Sequence, residues 1–378
     1  MAGWLPPEVM QQSTNSKLQG LPIHGGNPQQ DMERLGIEGQ VTLDFSVNLS
    51  PLGIPDEIMR NWSKMIEAAC AYPSLEGSSV VRFFTERFGI GSKNILAGNG
   101  STEFIYLIPQ ALRLKKIAIV NPSFSDYTRA AFNAGADVIP LQLTADNGFT
   151  CPEYIEIRNA LSKADALFIG NPNNPTGTVY PREILLQLAK EFPSKWIIVD
   201  QAFIQFLDNT DATTLIHHNE YKNILVILSL TKFYCLPGLR IGAVAGHESV
   251  IERLQGLKPP WSVNNVAEHC AAQLIHCKEY EYRLKQLINR EKDRMYCILK
   301  TLKHMLFFKP SANFILGQWQ KTENLDDLIC FLLRQGIYIR DCRNFSGLEE
   351  NYFRIAVLTT EENNLLVEAL KKADFDVS

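Results

Sequence analysis

The chain lacks the marks of several protein classes, and each absence narrows what it can be. None of its eight cysteines stands in a Cys-x-x-Cys pair, so the spacing offers no redox or thiolate metal motif, and reduced thiols are expected. The first twenty residues hold no basic start followed by an apolar core, and no apolar run approaches the roughly 18 residues that cross a bilayer. A cytoplasmic location without a membrane partner is the expectation. Charge of one sign is also missing. The formal net charge of -4 is spread without long like-sign runs, which argues against nucleic acid as the main partner. The pair His217-His218 has no acidic or cysteine company at ligand spacing, so surface histidines are expected there and no metal site. Internal repeats and low-complexity segments are absent as well.

At 378 residues the chain exceeds the usual ceiling for one hydrophobic core, which predicts a large domain, a smaller one and a cleft between them. Short apolar runs at Lys116 to Val120, Ala166 to Ile169, Trp196 to Val199, Ile224 to Leu228 and Ile241 to Ala245 alternate with amphipathic stretches. Examples of the latter are Thr102 to Leu112, Phe124 to Ala134 and Arg182 to Glu191. Apolar strands separated by helices predict the α/β class, a mostly parallel mixed sheet flanked by helices on both faces. From Asn264 to about His304 a glycine-free and proline-free stretch with helical apolar spacing predicts one long helix, unbroken or broken once. Beyond Pro310, the runs Asn313 to Leu316, Gly336 to Ile339 and Tyr352 to Val357 read as strands of a smaller α+β C-terminal domain, closed by a helix from Thr360 to Lys372. The expected division is a polar, poorly ordered extension at 1–23, an arm at 24–50, a large domain at 51–275 and a small domain at 276–378.

Chemistry concentrates in Ser229-Leu230-Thr231-Lys232, just beyond the run Ile224 to Leu228, with Arg240 eight residues on. A lysine placed there can condense with an aldehyde while Ser229, Thr231 and Arg240 grip a phosphate, which is what pyridoxal 5'-phosphate (PLP) requires. Asp200 ends the strand Trp196 to Asp200, and a carboxylate terminating a fully apolar strand is costly to bury without a partner. It either caps the following turn or meets a cation such as a protonated pyridine nitrogen. Opposite charges about 4 Å apart attract by roughly 4 kcal/mol at an intermediate effective dielectric. The turn Gly170-Asn171-Pro172-Asn173-Asn174-Pro175-Thr176-Gly177 lies where α/β sheets place ligands. It is a plain connector unless the Asn174 amide holds a phenolate oxygen. Gly98-Asn99-Gly100-Ser101-Thr102-Glu103 reads as a glycine turn opening a helix, whose free N–H groups suit a phosphate as those of any capped helix do. Phe124 is either core or a platform for a planar ring, and His24 and Tyr72 carry no mechanism by spacing alone.

In chain order, the Asn-Pro-Thr-Gly turn, Asp200, the Ser-x-x-Lys ending at Lys232, and Arg240 resemble the fold-type I PLP enzymes of the class I/II aminotransferase family. The resemblance runs from about His24 to the C-terminus. Within that family the chain is similar to the branch holding the threonine-phosphate decarboxylases of cobalamin biosynthesis and the histidinol-phosphate aminotransferases. His24-Gly25-Gly26-Asn27, Leu43 to Gly53, Ser229 to Arg240 and Pro260 to Asn264 favour the decarboxylases. Phe203 does too, since the aminotransferases generally have there a tyrosine bonded to the cofactor phenolate. Gln201 departs from the family's common glutamate.

The resemblance implies a role for each residue. Lys232 links to the cofactor aldehyde, Asp200 pairs with the pyridine nitrogen, Asn174 holds the phenolate oxygen beside Phe203, and Phe124 stacks on the ring. Gly100, Ser101, Thr102, Ser229, Thr231 and Arg240 surround the phosphate. Tyr72 reaches the cofactor of the neighbouring subunit, which makes the unit a homodimer. Arg354 receives the substrate carboxylate, for which its planar fork suits bidentate pairing. Arg340 and His24 hold the substrate phosphate, with Asn48 in the same substrate site. The implied activity is decarboxylation of an O-phospho-L-amino acid in cobalamin or norcobamide biosynthesis. L-Threonine O-3-phosphate would give (R)-1-aminopropan-2-ol O-2-phosphate, and L-serine phosphate would give ethanolamine phosphate. Histidinol-phosphate amino transfer is the alternative.

Overall fold

The computed structural model describes residues 24–376; the expectation of poor order at 1–23 lies outside the described residues. The apolar runs become one seven-stranded sheet. Its order is β2 (Ile95–Asn99), β8 (Ile241–Gly246), β7 (Ile224–Ser229), β6 (Trp196–Asp200), β5 (Ala166–Gly170), β3 (Lys116–Asn121) and β4 (Asp137–Gln142). Only β8 runs against its neighbours β2 and β7; the other pairings are parallel. β5, β7 and β8 are buried along their whole length, as strands covered on both faces must be. β4, whose short run Val138 to Leu141 is interrupted by Pro140, is an edge strand with half-exposed residues, a position where proline is tolerated.

Helices connect these strands, among them α2 (Ser101–Ala111) after β2, α3 (Asp126–Asn133) after β3, and α4 (Arg182–Glu191) after β5. They are preceded by a helix of the arm, α1 (Pro28–Leu35). The stretch after Asn264 is two helices. α5 (Asn265–Leu274) is capped by the Asn264 side chain, which accepts the Ala267 N–H at 2.8 Å, and α6 (Lys278–Leu299) follows. They part at Ile275–Cys277, where the His276 and Cys277 amides close tight turns onto Gln273 and Leu274 without any glycine or proline to mark the break.

The C-terminal part holds a four-stranded antiparallel sheet, β12 (Arg340–Asp341), β13 (Tyr352–Ala356), β10 (Phe314–Trp319) and β9 (Met305–Phe307). Helices α7 (Leu325–Leu333) and α8 (Thr360–Asp376) pack on one another beside it. The run at 336–339 does not join this sheet. Its strand β11 (Ile337–Tyr338) pairs in parallel with β1 (Leu43–Asp44), which seats the arm against the C-terminal part. Among the described residues no helix is long and apolar enough to cross a membrane, and no cluster of metal-ligating side chains occurs.

Candidate active site

Parallel strands bring their carboxyl ends to one edge of the sheet, and there the structure encloses a cavity of about 360 Å³. β7 ends at Ser229, and the turn beyond it delivers Thr231 and Lys232 to the wall. β6 ends at Asp200, β5 leads into the turn bearing Asn174, and β3 leads to Phe124. β2 runs into Gly100, whose φ of +78° opens α2, and the first residues of that helix, Ser101 and Thr102, line the same space. A Cβ at Gly100 would lie 2.5 Å from Arg240 Nη2. Arg240 holds a left-handed backbone (φ +54°), donates to Pro237 O at 3.1 Å, and reaches Thr102 Oγ1 at 3.5 Å. Ser229 does not line the cavity; it backs Thr231 through a 2.8 Å hydroxyl contact.

Burial sets the electrostatics. It pushes the Lys232 ammonium down to about 8, helped by Arg240 and Arg354 and opposed by Asp200. It pushes the Asp200 carboxyl up to about 6, against the Ala202 N–H, the Tyr127 hydroxyl and the charge of Lys232. Tyr127 donates to Asp200 Oδ2 at 3.0 Å and stacks on Phe168 with ring centroids 4.5 Å apart. Ala202 N–H donates to Oδ1 at 2.9 Å. Sequence reasoning missed Tyr127, because an apolar-faced aromatic on a helix reads as core.

The opposite wall comes from the arm and the C-terminal sheet. Arg354, on β13, is buried; it donates through Nη2 to Ser46 O at 2.7 Å and through Nη1 to Asn174 Oδ1, while its Nε has no partner. Burial brings its guanidinium down to about 10. Its acceptors are neutral, and no carboxylate pairs with it among the described residues. Arg340, on β12, donates to Asn344 Oδ1 at 2.9 Å and lies 5.3 Å from the Phe345 ring centroid. Asn48 is buried with an unpartnered Oδ1. His24 is exposed at the rim, 5.7 Å from Phe124 between ring centroids. Partial burial holds its imidazole below the ordinary value; Asp126 pulls the other way, and Arg340, Arg129 and Lys232 reinforce the lowering.

Of the residues expected at the site, the cavity gathers Lys232, Asp200, Asn174, Phe203, Phe124, Ser101, Thr102, Thr231 and Arg240 with His24, Asn48, Arg340 and Arg354. Gly100 and Ser229 stand immediately behind. Tyr72 is outside this chain's cavity, 84% exposed, with its ring 5.3 Å from that of Trp261. Gln201 points away from the cavity, its Oε1 accepting the Thr214 hydroxyl at 2.7 Å. Asp126 was also missed: it lines the wall, with Oδ1 held by Tyr106 at 2.9 Å and Arg129 at 3.2 Å.

These groups fit PLP. The donor set has an amine of lowered basicity for the aldehyde and a buried carboxylate for a cationic ring nitrogen. It also has a helix N-terminus beside an arginine for the phosphate, in a cradle that a Cβ at Gly100 would fill.

Comparison with known proteins agrees. The family described as Aminotransferase class I and II matches residues 71–370. A protein of Caldanaerobacter subterraneus subsp. tengcongensis, provisionally named threonine-phosphate decarboxylase, is 35% identical over 331 residues, 86% of this chain and 88% of its own length. The threonine-phosphate decarboxylase of Salmonella typhimurium is 31% identical over 352 residues, 92% of this chain and 95% of its own. The crystal structure of the histidinol-phosphate aminotransferase from Clostridium acetobutylicum superposes with a TM-score of 0.81 at 28% identity, covering 88% of this chain and 99% of that one. With that match spanning most of its length and the cofactor site assembled in the cavity, this chain belongs to the class I and II aminotransferase family of fold-type I, pyridoxal 5'-phosphate-dependent enzymes.

Proposed function

We propose that this chain decarboxylates an O-phospho-L-amino acid, converting L-threonine O-3-phosphate to (R)-1-aminopropan-2-ol O-2-phosphate for cobalamin or norcobamide assembly. L-Serine phosphate is a close variant, since one methyl in a pocket discriminates by only about 1 to 3 kcal/mol. The observation that carries the reading is the charge of the cavity. Among the described residues that line it, Lys232, Arg240, Arg340 and Arg354 stand with two carboxylates, Asp126 and Asp200. A cofactor phosphate answers Arg240. The end with Arg340 and Arg354 then suits a substrate with two anionic groups, a carboxylate and a phosphate.

When bound, PLP supplies an electron sink for charge developing at the substrate α-carbon. Lys232 holds the cofactor, Asp200 keeps its ring nitrogen cationic, Asn174 donates to the phenolate oxygen, and Phe124 covers the ring. Arg354 would take the carboxylate, and Arg340 with His24 the phosphate, with Asn48 lining the same cavity. Fixing both ends decides which α-carbon bond is aligned to break. When that bond leads to the carboxylate, carbon dioxide leaves and a proton returns to the same carbon. Phe203 favours this outcome over amino transfer. Its ring, edge-on to Phe314 at 5.1 Å, presents no hydroxyl where the aminotransferases generally place one. The active unit in this reading is a cytoplasmic homodimer, with the exposed Tyr72 reaching the other subunit's site.

Mass analysis of products from phosphothreonine, phosphoserine and histidinol phosphate, offered separately, tests reaction and substrate together. Carbon dioxide with an amino-alcohol phosphate is the expected result. Rapid glutamate formation from histidinol phosphate and 2-oxoglutarate, with no carbon dioxide from the phospho-amino acids, would overturn it in favour of amino transfer.

A further inference from the structure

Beside the cavity runs a chain of alternating charges that touches neither cofactor nor substrate space. Asp31, on α1 and fully buried, accepts from Arg34 at Oδ1 (Nε 3.0 Å, Nη2 2.9 Å) and from the Tyr338 hydroxyl at Oδ2 (2.7 Å). Arg34 also forks onto Asp326 of α7, with Nη1 to Oδ2 at 2.9 Å and Nη2 to Oδ1 at 3.0 Å. Arg343 Nη2 reaches the same Asp326 Oδ1 at 2.5 Å and Asp341 Oδ2 at 2.7 Å. The Arg343 amide donates to Asp341 Oδ1 at 2.9 Å, so the turn after β12 is pinned on itself. One end of this chain is the arm helix just beyond His24. The other brackets Arg340, which sits between Tyr338 and the Asp341–Arg343 turn.

The backbone ties the same two segments: Phe45 N–H donates to Tyr338 O at 2.7 Å and Ala356 N–H to Phe45 O at 2.9 Å. Nearer His24, Gly26 N–H donates to Ser46 Oγ at 2.7 Å, and α1 supplies the remaining tie between this end of the arm and the C-terminal part. Gly25 packs so closely on Ser46 O that a Cβ there would collide with it.

We propose that Asp31, Arg34, Asp326, Arg343 and Asp341 form a positioning clamp that locks α1 to the strand of Arg340, so that His24 and Arg340 present a single phosphate-binding edge. Residues 24–46 then move with the C-terminal sheet. This inference rests on the reading that His24 and Arg340 hold the substrate phosphate. Arg34 is the keystone because its fork bridges Asp31 and Asp326 at once, a geometry that a lysine ammonium does not reproduce.

The test uses the holoenzyme with O-phospho-L-threonine, or with histidinol phosphate where the product assay finds that turned over. Arg34→Met is expected to raise KM by about tenfold or more, as displaced anchors do, with kcat within about twofold and the bound-cofactor absorbance unchanged. Arg34→Lys recovers only part of the loss, and Asp326→Asn, which keeps shape, moves KM the same way. In a His24→Ala background Arg34→Met adds no more than about twofold, because coupled residues fail to add. An Arg34→Met protein that melts earlier but keeps its KM, or a penalty that adds in full to His24→Ala, reduces the network to scaffolding and overturns the clamp. A His24→Ala protein with unchanged KM sinks the phosphate-anchoring reading itself, and the clamp with it.

Discussion

Replacing Tyr127 with phenylalanine removes one hydroxyl from the wall that bears Asp200 and leaves the stacking on Phe168 in place. That hydroxyl donates to Asp200 Oδ2 at 3.0 Å in a fully buried setting. A hydrogen bond to a charged group contributes roughly 1.5 to 3 kcal/mol, and one pKa unit corresponds to about 1.36 kcal/mol. The Asp200 carboxyl, already up at about 6 through burial, is therefore expected to rise by about one to two further units in Tyr127→Phe.

The direction in pH follows from the sign of that shift. A carboxyl raised in the folded state is disfavoured when ionised, so apoenzyme stability falls as pH climbs from the unfolded value through about 6. In the variant the fall extends to higher pH. Capture of a cationic ring nitrogen needs the ionised carboxylate, so the pH midpoint for PLP affinity moves upward by the same one to two units, roughly. Fluorescence titration of wild-type and Tyr127→Phe apoenzyme with PLP, at pH values on both sides of 6, measures it. An unmoved midpoint refutes the argument, and an affinity loss equal at every pH assigns the hydroxyl to packing instead.

Gly100→Ala forces a side chain into a left-handed turn, at a strain of roughly 1 to 3 kcal/mol, and drives Arg240 from the cradle, where the new Cβ lies 2.5 Å from Nη2. PLP dissociation, followed by absorbance, is expected to strengthen by about tenfold or more. Arg354→Lys loses the fork and leaves Ser46 O and Asn174 Oδ1 short of a donor; steady-state kinetics are expected to show KM up by about ten- to a hundredfold. Because an amine must be neutral to condense, the rate of covalent cofactor capture in the wild type climbs with pH until about 8 and then levels. Lys232→Ala abolishes the covalent absorbance band and turnover, and retention of either would remove Lys232 from the chemistry.

The cofactor end of the site is legible in the chain because its parts are local to strand ends. Asp200 closes β6, and Lys232 and Arg240 follow β7 within one turn system. Apolar strands and short spacings therefore announce them together. The misses have equally local causes. β4 is an edge strand whose short apolar run is interrupted by Pro140, and the place of the break between α5 and α6, one of the two expected alternatives, is set by tight backbone turns that any residue allows. Tyr127 and Asp126 sit on the first turn of α3, where an aromatic reads as core and an acid as a helix-end charge.

The substrate end is a different case, because no spacing joins its parts. His24 and Asn48 belong to the arm, Arg340 to β12 and Arg354 to β13, and they meet only because β1 pairs with β11 and β12 pairs with β13. Register does the work: Arg340 stands opposite Arg354 across the β12–β13 ladder. Two like charges so placed repel unless anions lie between or beside them, and Arg340 adds to the lowering that burial chiefly imposes on the Arg354 guanidinium. A doubly anionic ligand would answer both guanidinium charges at once, whereas a singly anionic one would answer only one of them. On the proposed reading, selectivity for a phospho-amino acid would depend on sheet register in the C-terminal part, since a slip of one residue in that pairing would part Arg340 from Arg354.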